Sequence, residues 1–423
     1  MLKSLAQGAR RQAGRLAAFS LAVGVVAGAG VAAIEPAEAH GEKSQAAFLR
    51  MRTLGWYDMK WSKKLVNVNE EFEITGKVRI MSAWPVSVKT PENAFLNIGM
   101  PGPVAVRKLT ILGGQFQPRS TSLEVGKEYD FRMLLKARRA GRWHVHAQLS
   151  VETGGPIPGP GEWIEIKGDM ADFKNPVTLL NGTVIDLEQY GITDIYLWHL
   201  LWFIIGFAWV GFWFSRRGFV GRFMWVATGR GEELITPTET KIGVGTLVAV
   251  LLIVGITWGW ASSKFPNTLP LQAGNIKNLE PLPEQNAPLK IKYEGGDYKV
   301  PGRELAMTYV ITNTGSEPLR VGEFLTAGLR FLNPDVYTTK VEYPDYLLAD
   351  RGLLLSDNAP IQPGESKKIV ITAKDARWDI ERLSGLSYDV DSSFAGLLFF
   401  YTPTGQRFHV EVSGFVLPTF ISS

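Results

Sequence analysis

The sequence predicts a mainly β protein: two β-sandwich domains joined by two transmembrane α-helices. Three observations carry this. Two runs, Ile195 to Phe214 and Ile242 to Ala261, are apolar over about the ~20 residues a helix needs to cross a bilayer. The stretches on either side read as short strands with turn punctuation. The 423 residues are enough for two or three domains.

The element readings follow in chain order. Ser44 to Leu54 has helical character. Phe72 to Ile80 alternates apolar and polar residues, the pattern of a half-buried strand. Leu123 to Lys127 reads as a strand end and turn before a strand from Tyr129 to Lys136. Gly154 to Gly161, with three prolines, reads as a rigid loop. Beyond the apolar runs, Pro281 to Pro288 reads as linker, and Leu305–Thr312, Lys368–Ala373 and Gly396–Tyr401 read as strands. A repeat is suggested by Ala137 followed by Arg142-Trp143-His144-Val145-His146, against Ala373 followed by Arg377-Trp378-Asp379-Ile380-Glu381. On that alignment two histidines of the first copy become carboxylates in the second.

The start of the chain reads as a signal peptide. Residues 1–15 carry four basic residues and no acid, an apolar run extends from Leu16 to Ile34, and Ala37-Glu38-Ala39 has small residues at the cleavage positions. An uncleaved anchor is the alternative. Cleavage after Ala39 makes His40 the first mature residue, with an α-amino group and an imidazole on one residue. Between the two apolar runs lie Arg216, Arg217, Arg222, Arg230 and Lys241, which places that loop in the cytoplasm and both large flanking segments on the opposite side. The expected divisions are therefore a signal peptide (1–39), a first domain (40–190), two membrane helices with a cytoplasmic loop (191–263) and a second domain (264–423).

Composition excludes several classes. The net charge is +4, and the leader contributes four of the bases and two of the acids, so the remainder is nearly balanced. No basic stripe interleaved with aromatics is present, so no nucleic-acid partner is expected. The absence of cysteine removes disulfides, thiolate zinc sites, cysteine nucleophiles and blue copper.

With five histidines, metal-site reasoning is tractable. His144 and His146 stand one residue apart, so on a strand both imidazoles share a face while Trp143 and Val145 point into packing. His40 is the other histidine of that domain. Three imidazoles and an amine suit copper(II). Zinc also accepts three histidines, and the amine–imidazole chelate tilts the choice to copper. His199, near the outer end of the first apolar run, is read as a packing or interface hydrogen-bonding group, and His409 as a surface strand residue.

Several stretches resemble the alpha subunit of the particulate methane monooxygenase and ammonia monooxygenase family. They are His40 to Arg50, Gly99-Met100-Pro101-Gly102-Pro103, Leu135 to Arg139, Trp143 to His146, Asn175 to Thr178 and Phe394 to Phe400. The resemblance covers essentially the whole mature chain. It implies two cupredoxin-like domains joined by two transmembrane helices, and a copper site with ligands carried onto His40, His144 and His146. Glu42 is a candidate neighbour of that site. It also implies two largely transmembrane partner subunits in a trimer of heterotrimers. The location implied is the cell or intracytoplasmic membrane, with both soluble domains on the periplasmic or lumenal side.

The activity implied is hydroxylation of methane to methanol with O2. The alternatives are ammonia oxidation, or a copper-binding structural or assembly subunit with catalysis in a partner. Catalytic residues on this chain are not assigned. Some family members carry a second mononuclear copper site using a histidine just before a Trp-Tyr pair. Here Gly55 precedes Trp56-Tyr57 and the strand around Arg79 has no histidine, so that site is not expected.

Overall fold

The computed structural model describes residues 45–179, 181–216, 219–265, 276–336, 343–389 and 391–420. The chain forms two compact units, one containing both β domains and one spanning residues 171–274.

The first β domain opens with helix α1 (Ala47–Arg52). Nine strands follow: β1 (Leu54–Trp61), β2 (Leu65–Asn67), β3 (Glu71–Ile80), β4 (Ala94–Gly99), β5 (Ala105–Leu112), β6 (Gln115–Phe116), β7 (Glu128–Ala137), β8 (Gly141–Val151) and β9 (Gly155–Lys167). One sheet has the order β1-β3-β7-β5-β6 and the other β2-β9-β8-β4. Their inner faces meet in a core that includes Phe72, Ile74, Val78, Met133, Leu135, Val145, Ala147 and Leu149. The alternation predicted around Phe72–Ile80 is seen in β3, where every second side chain is buried. Gly126, in the turn before β7, has φ +81°, a left-handed conformation that favours glycine.

The Gly154–Gly161 segment corrects the sequence reading, because most of it is the opening of β9 rather than a loop. Pro156 and Pro158 pair with Ser150 and Gln148 of β8, while β2 covers only Glu165 to Lys167. The proline-bearing part is therefore a sheet edge on its other side, the position where a missing N–H is tolerated. A bulge interrupts the β8–β9 register between His146 and Gln148.

The second unit carries a small hairpin, β10 (Pro176–Thr178) with β11 (Val184–Asp186), then α2 (Ile192–Arg216), α3 (Phe219–Ala227) and α4 (Pro237–Lys264). Helices α2 and α4, with 25 and 28 residues, are long and apolar enough to cross a membrane. Thr236 caps α4: its hydroxyl accepts from the Glu239 N–H at 3.2 Å, and Glu239 accepts from the Thr236 N–H at 2.7 Å. Lys264 closes the far end on Asp194 at 2.8 Å.

The second β domain holds β12 (Leu289–Val300), β13 (Glu304–Asn313), β14 (Arg320–Thr326), β15 (Leu329–Leu332), β16 (Leu348–Ala349), β17 (Leu353–Leu355) and β18 (Ser366–Lys374). After helix α5 (Arg377–Ile380) come β19 (Ser393–Tyr401), β20 (Arg407–Phe415) and β21 (Leu417–Phe420). The sheets are β17-β18-β13-β12-β21 and β16-β15-β14-β19-β20. The strands expected at 305–312, 368–373 and 396–401 are present, and residues 281–288 form no strand.

The suggested repeat needs correction. Strand order recurs: β1-β3-β7 corresponds to β12-β13-β18, and β4-β8-β9 to β14-β19-β20. The partner of β8 is therefore β19. Arg377–Glu381 belongs to α5 and its C-cap, an element between β18 and β19 that the first domain lacks. Asp379 and Glu381 are not strand counterparts of the histidines. Glu381 is instead fully buried against Arg50 of α1, at 3.1 Å.

The two β domains share a packed seam. Tyr57 and Met81 of the first domain join Leu325, Ala395, Leu397, Phe399 and Tyr401 of the second in one apolar cluster. Ala47 and Met51 of α1 belong to the second domain's core.

Candidate metal centre

His144 and His146 lie on one face of β8 with ring centroids 5.7 Å apart, as their spacing predicts. Val145 between them is fully buried in the core, and Trp143 packs against the same core. Both histidines are themselves buried.

The imidazoles are bedded on glycines of the two flanking strands. Gly99 of β4 is the register partner of His146, and a Cβ there would fall 2.1 Å from the imidazole Cε1. Gly161 of β9 is its partner on the other side, and a Cβ there would fall 2.6 Å from His144 Cε1. The β8–β9 bulge sits at the same level, as bulges near functional sites often do.

Burial, together with the neighbouring His144, pushes the His146 pKa down to about 3. At neutral pH its imidazole is uncharged, the state a metal ligand requires. His144 also reaches beyond its own strand. Its Nε2 is 2.9 Å from the Tyr346 hydroxyl of the second domain, and that hydroxyl donates to the Gly161 carbonyl, also at 2.9 Å. The Trp163 ring lies 5.2 Å from its own ring, and Arg142 sits over Trp163 at 4.9 Å. A groove of about 650 Å³ opens beside them, lined by Arg142, Glu162, Trp163 and Tyr346 among others. Lys64 pairs with Glu162 there at 2.6 Å.

His40 and Glu42 lie outside the described residues, as does the expected signal peptide. Among the described residues no third His, Asp or Glu completes a metal-holding group with the pair. What the structure brings together is two buried, glycine-bedded imidazoles on one strand face. That donor set fits copper or zinc, with further ligands required from elsewhere.

Two other histidine readings can be placed. His199 is on α2, exposed, with Nδ1 2.8 Å from the Ile195 carbonyl, a local hydrogen bond. His409 corrects the sequence reading: it is a buried seam residue, not a surface one. Its Nε2 lies 2.5 Å from Glu128 Oε1, and Tyr57 donates to the other oxygen of Glu128 at 2.9 Å. At the position of the second copper site, Gly55 pairs with Arg79. The Arg79 guanidinium already bridges Glu411 at 3.0 Å and Glu128 at 3.4 Å, so a cation of the chain itself occupies this part of the seam.

Sequence reasoning missed Gly99, Gly161, Trp163 and Tyr346. The glycines stand in the two Gly/Pro-rich stretches, where glycine within a strand can signal a close approach. Tyr346 is 202 residues from His144, and nothing local marks it.

Residues 41–420 match the Monooxygenase_B family, the B-subunit proteins of monooxygenases. The chain is 50% identical over 385 residues to the particulate methane monooxygenase alpha subunit of Methylococcus capsulatus, covering 91% of this chain and 93% of that protein. A crystal structure of the cupredoxin domain of amoB from Nitrosocaldus yellowstonii aligns with 29% of this chain and 91% of its own, at 18% identity and a TM-score of 0.24. With a family match across nearly all of its length and a relative of that identity, this chain belongs to the monooxygenase B-subunit family and is a component of a membrane monooxygenase.

Proposed function

We propose that this chain is the copper-holding subunit of a monooxygenase that hydroxylates methane to methanol with O2. The observation that carries the reading is the pair of buried imidazoles of His144 and His146 side by side on one face of β8. His40, as the mature N-terminus, would complete the set with its imidazole and α-amino group, and Glu42 would lie near it. What copper supplies there is one-electron redox chemistry toward O2, which zinc lacks. The chain's own part is to hold the His146 imidazole uncharged, keep bulk water from both rings and fix their orientation.

The divisions at 39/40, 190/191 and 263/264 belong to this proposal. So do the cytoplasmic loop between the spans and the periplasmic or lumenal placement of both β domains. Two largely transmembrane partner subunits, in a trimer of heterotrimers, would cover the exposed apolar faces of α2 and α4. Ammonia is the alternative substrate.

One observation favours a second reading, in which substrate reacts on a partner subunit. The two membrane helices offer His199 as their one histidine, too few ligands for a buried metal site. On this reading the copper of the β domain is structural.

The test uses the intact membrane complex carrying His144→Ala and His146→Ala together. The expected result is loss of a type 2 Cu(II) resonance with nitrogen couplings and loss of methane turnover. An unchanged resonance and copper content would overturn the site. A lost resonance with full turnover would move the chemistry to a partner.

A further inference from the structure

Tyr346 stands on the second domain, which supplies no candidate metal ligand, yet it reaches the first domain's histidine. A neutral imidazole has one N–H and one lone pair, and a hydrogen bond at one nitrogen fixes which is which. The phenol of Tyr346 has one proton. It lies 2.9 Å from the Gly161 carbonyl, which can only accept, so the proton goes there. The phenol oxygen is then the acceptor for His144, whose Nε2 is also 2.9 Å away. Nε2 therefore carries the hydrogen, and Nδ1 the lone pair.

We infer that Tyr346 is a positioning residue: it fixes His144 in the tautomer that presents Nδ1, not Nε2, to a metal. The phenol that does this is itself held. Arg377 donates through Nε to the Tyr346 carbonyl at 2.8 Å and through Nη2 to the Asp345 carbonyl at 3.2 Å. Asp375 holds the same guanidinium at 3.0 Å. Leu347, the next residue, is buried in the second domain's core. The rings of His144 and Tyr346 meet edge to face at 5.7 Å, so rotation of either would break the contact. An N–H donated to an outer partner also raises the basicity of the opposite nitrogen, and removing such a partner typically weakens metal binding about 10–100-fold.

The inference rests on the reading of His144 as a ligand, and the experiment separates the two. Nitrogen-15 NMR of histidine-labelled, metal-stripped complex should show His144, identified by its loss in His144→Asn, protonated at Nε2. In Tyr346→Phe the signal should become a mixture of tautomers, and the copper dissociation constant should rise by about tenfold or more. A His144 protonated at Nδ1 in the unmodified complex would overturn the inference, as would a Tyr346→Phe complex with tautomer and copper affinity unchanged. The first measurement needs no variant of Tyr346, so failure of Tyr346→Phe to assemble leaves it decisive. If Nε2 is protonated but His144→Asn keeps full copper affinity, the tautomer stands and the ligand reading falls.

Discussion

In the first domain β8 runs between β4 and β9, and in the second β19 runs between β14 and β20. Both strands turn one row of side chains into their own domain's core: Val145, Ala147 and Leu149 on β8, and Phe394, Leu398 and Phe400 on β19. The other rows differ. β8 turns out His144, His146, Gln148 and Ser150, while β19 turns out Ala395, Leu397, Phe399 and Tyr401. The same place in the sheet thus serves as a polar site in one domain and as an apolar docking face in the other. Since a strand's two faces are independent, a duplicated sandwich can keep its core and change its outer row. The second domain then contributes to the candidate metal centre indirectly, through Tyr346 and through α1, whose apolar side it buries a few residues after the candidate ligand His40.

The comparison predicts that outer-row substitutions on β19 affect stability and spare the metal. Leu397 is fully buried in the seam, with its Cδ1 close to the space beside Gly55. Leu397→Ala should cost about 2–5 kcal/mol by lost transfer energy and the cavity left behind. Denaturant titration of the purified complex measures it. Copper per folded chain should stay unchanged, and a loss of copper parallel to the loss of stability would break the distinction between the two rows.

The polar part of the seam should give a smaller effect with a defined pH dependence. Burial raises the Glu128 pKa, but the hydrogen bond and charge of His409, the Tyr57 hydroxyl and the nearby Arg79 outweigh it, so the net shift is downward. A carboxylate with a depressed folded pKa contributes stability above its unfolded value, and that contribution disappears as pH falls through the folded value. Glu411, Lys127 and Glu284 also face this region. Acidification below the ordinary carboxylate range should therefore weaken the seam. Glu128→Gln should cost roughly 1.5–3 kcal/mol at neutral pH, the scale of hydrogen bonds to a charged group. It should also flatten the acid limb of the stability curve; an acid limb of unchanged slope would remove Glu128 as its source.

What could be read in advance follows from these same contrasts. The alternation of β3, the apolar length of α2 and α4 and the His-x-His spacing are local signals, and each appears where the sequence places it. β19 is buried on both faces, so its alternation vanishes and its outer row cannot be told from its inner one. The resemblance at Arg377-Trp378 is therefore a coincidental local match in α5, while the true counterpart of β8, β19, carries no sequence signal of the repeat. Pro156 and Pro158 look like loop residues until β2 is seen to stop short of them. The burial of His409 and the reach of Tyr346 come from the domain seam, which no window of sequence contains.

The smallest expected stability change is the sharpest test of the β8 face. Gly99 lies opposite His146, and its backbone is not in the left-handed region, so alanine there carries no conformational penalty. A strand alanine even regains part of the roughly 0.5–1 kcal/mol that glycine loses through backbone entropy. The new methyl group cannot coexist with the present imidazole, because it would stand 2.1 Å from Cε1. His146 is on the outer row, so its ring can swing away without opening the core. The entropic gain and the cost of repacking, about 1–3 kcal/mol for an added methyl in a filled space, then partly cancel. Gly99→Ala should therefore shift the unfolding free energy by only about 1 kcal/mol. Its effect on metal should be far larger, because a displaced His146 no longer shares a face with His144. Isothermal titration of metal-stripped complex with copper should show at least a tenfold weaker site. Wild-type affinity in Gly99→Ala would mean that the two imidazoles need not be held side by side, and the contrast between β8 and β19 would lose its functional half.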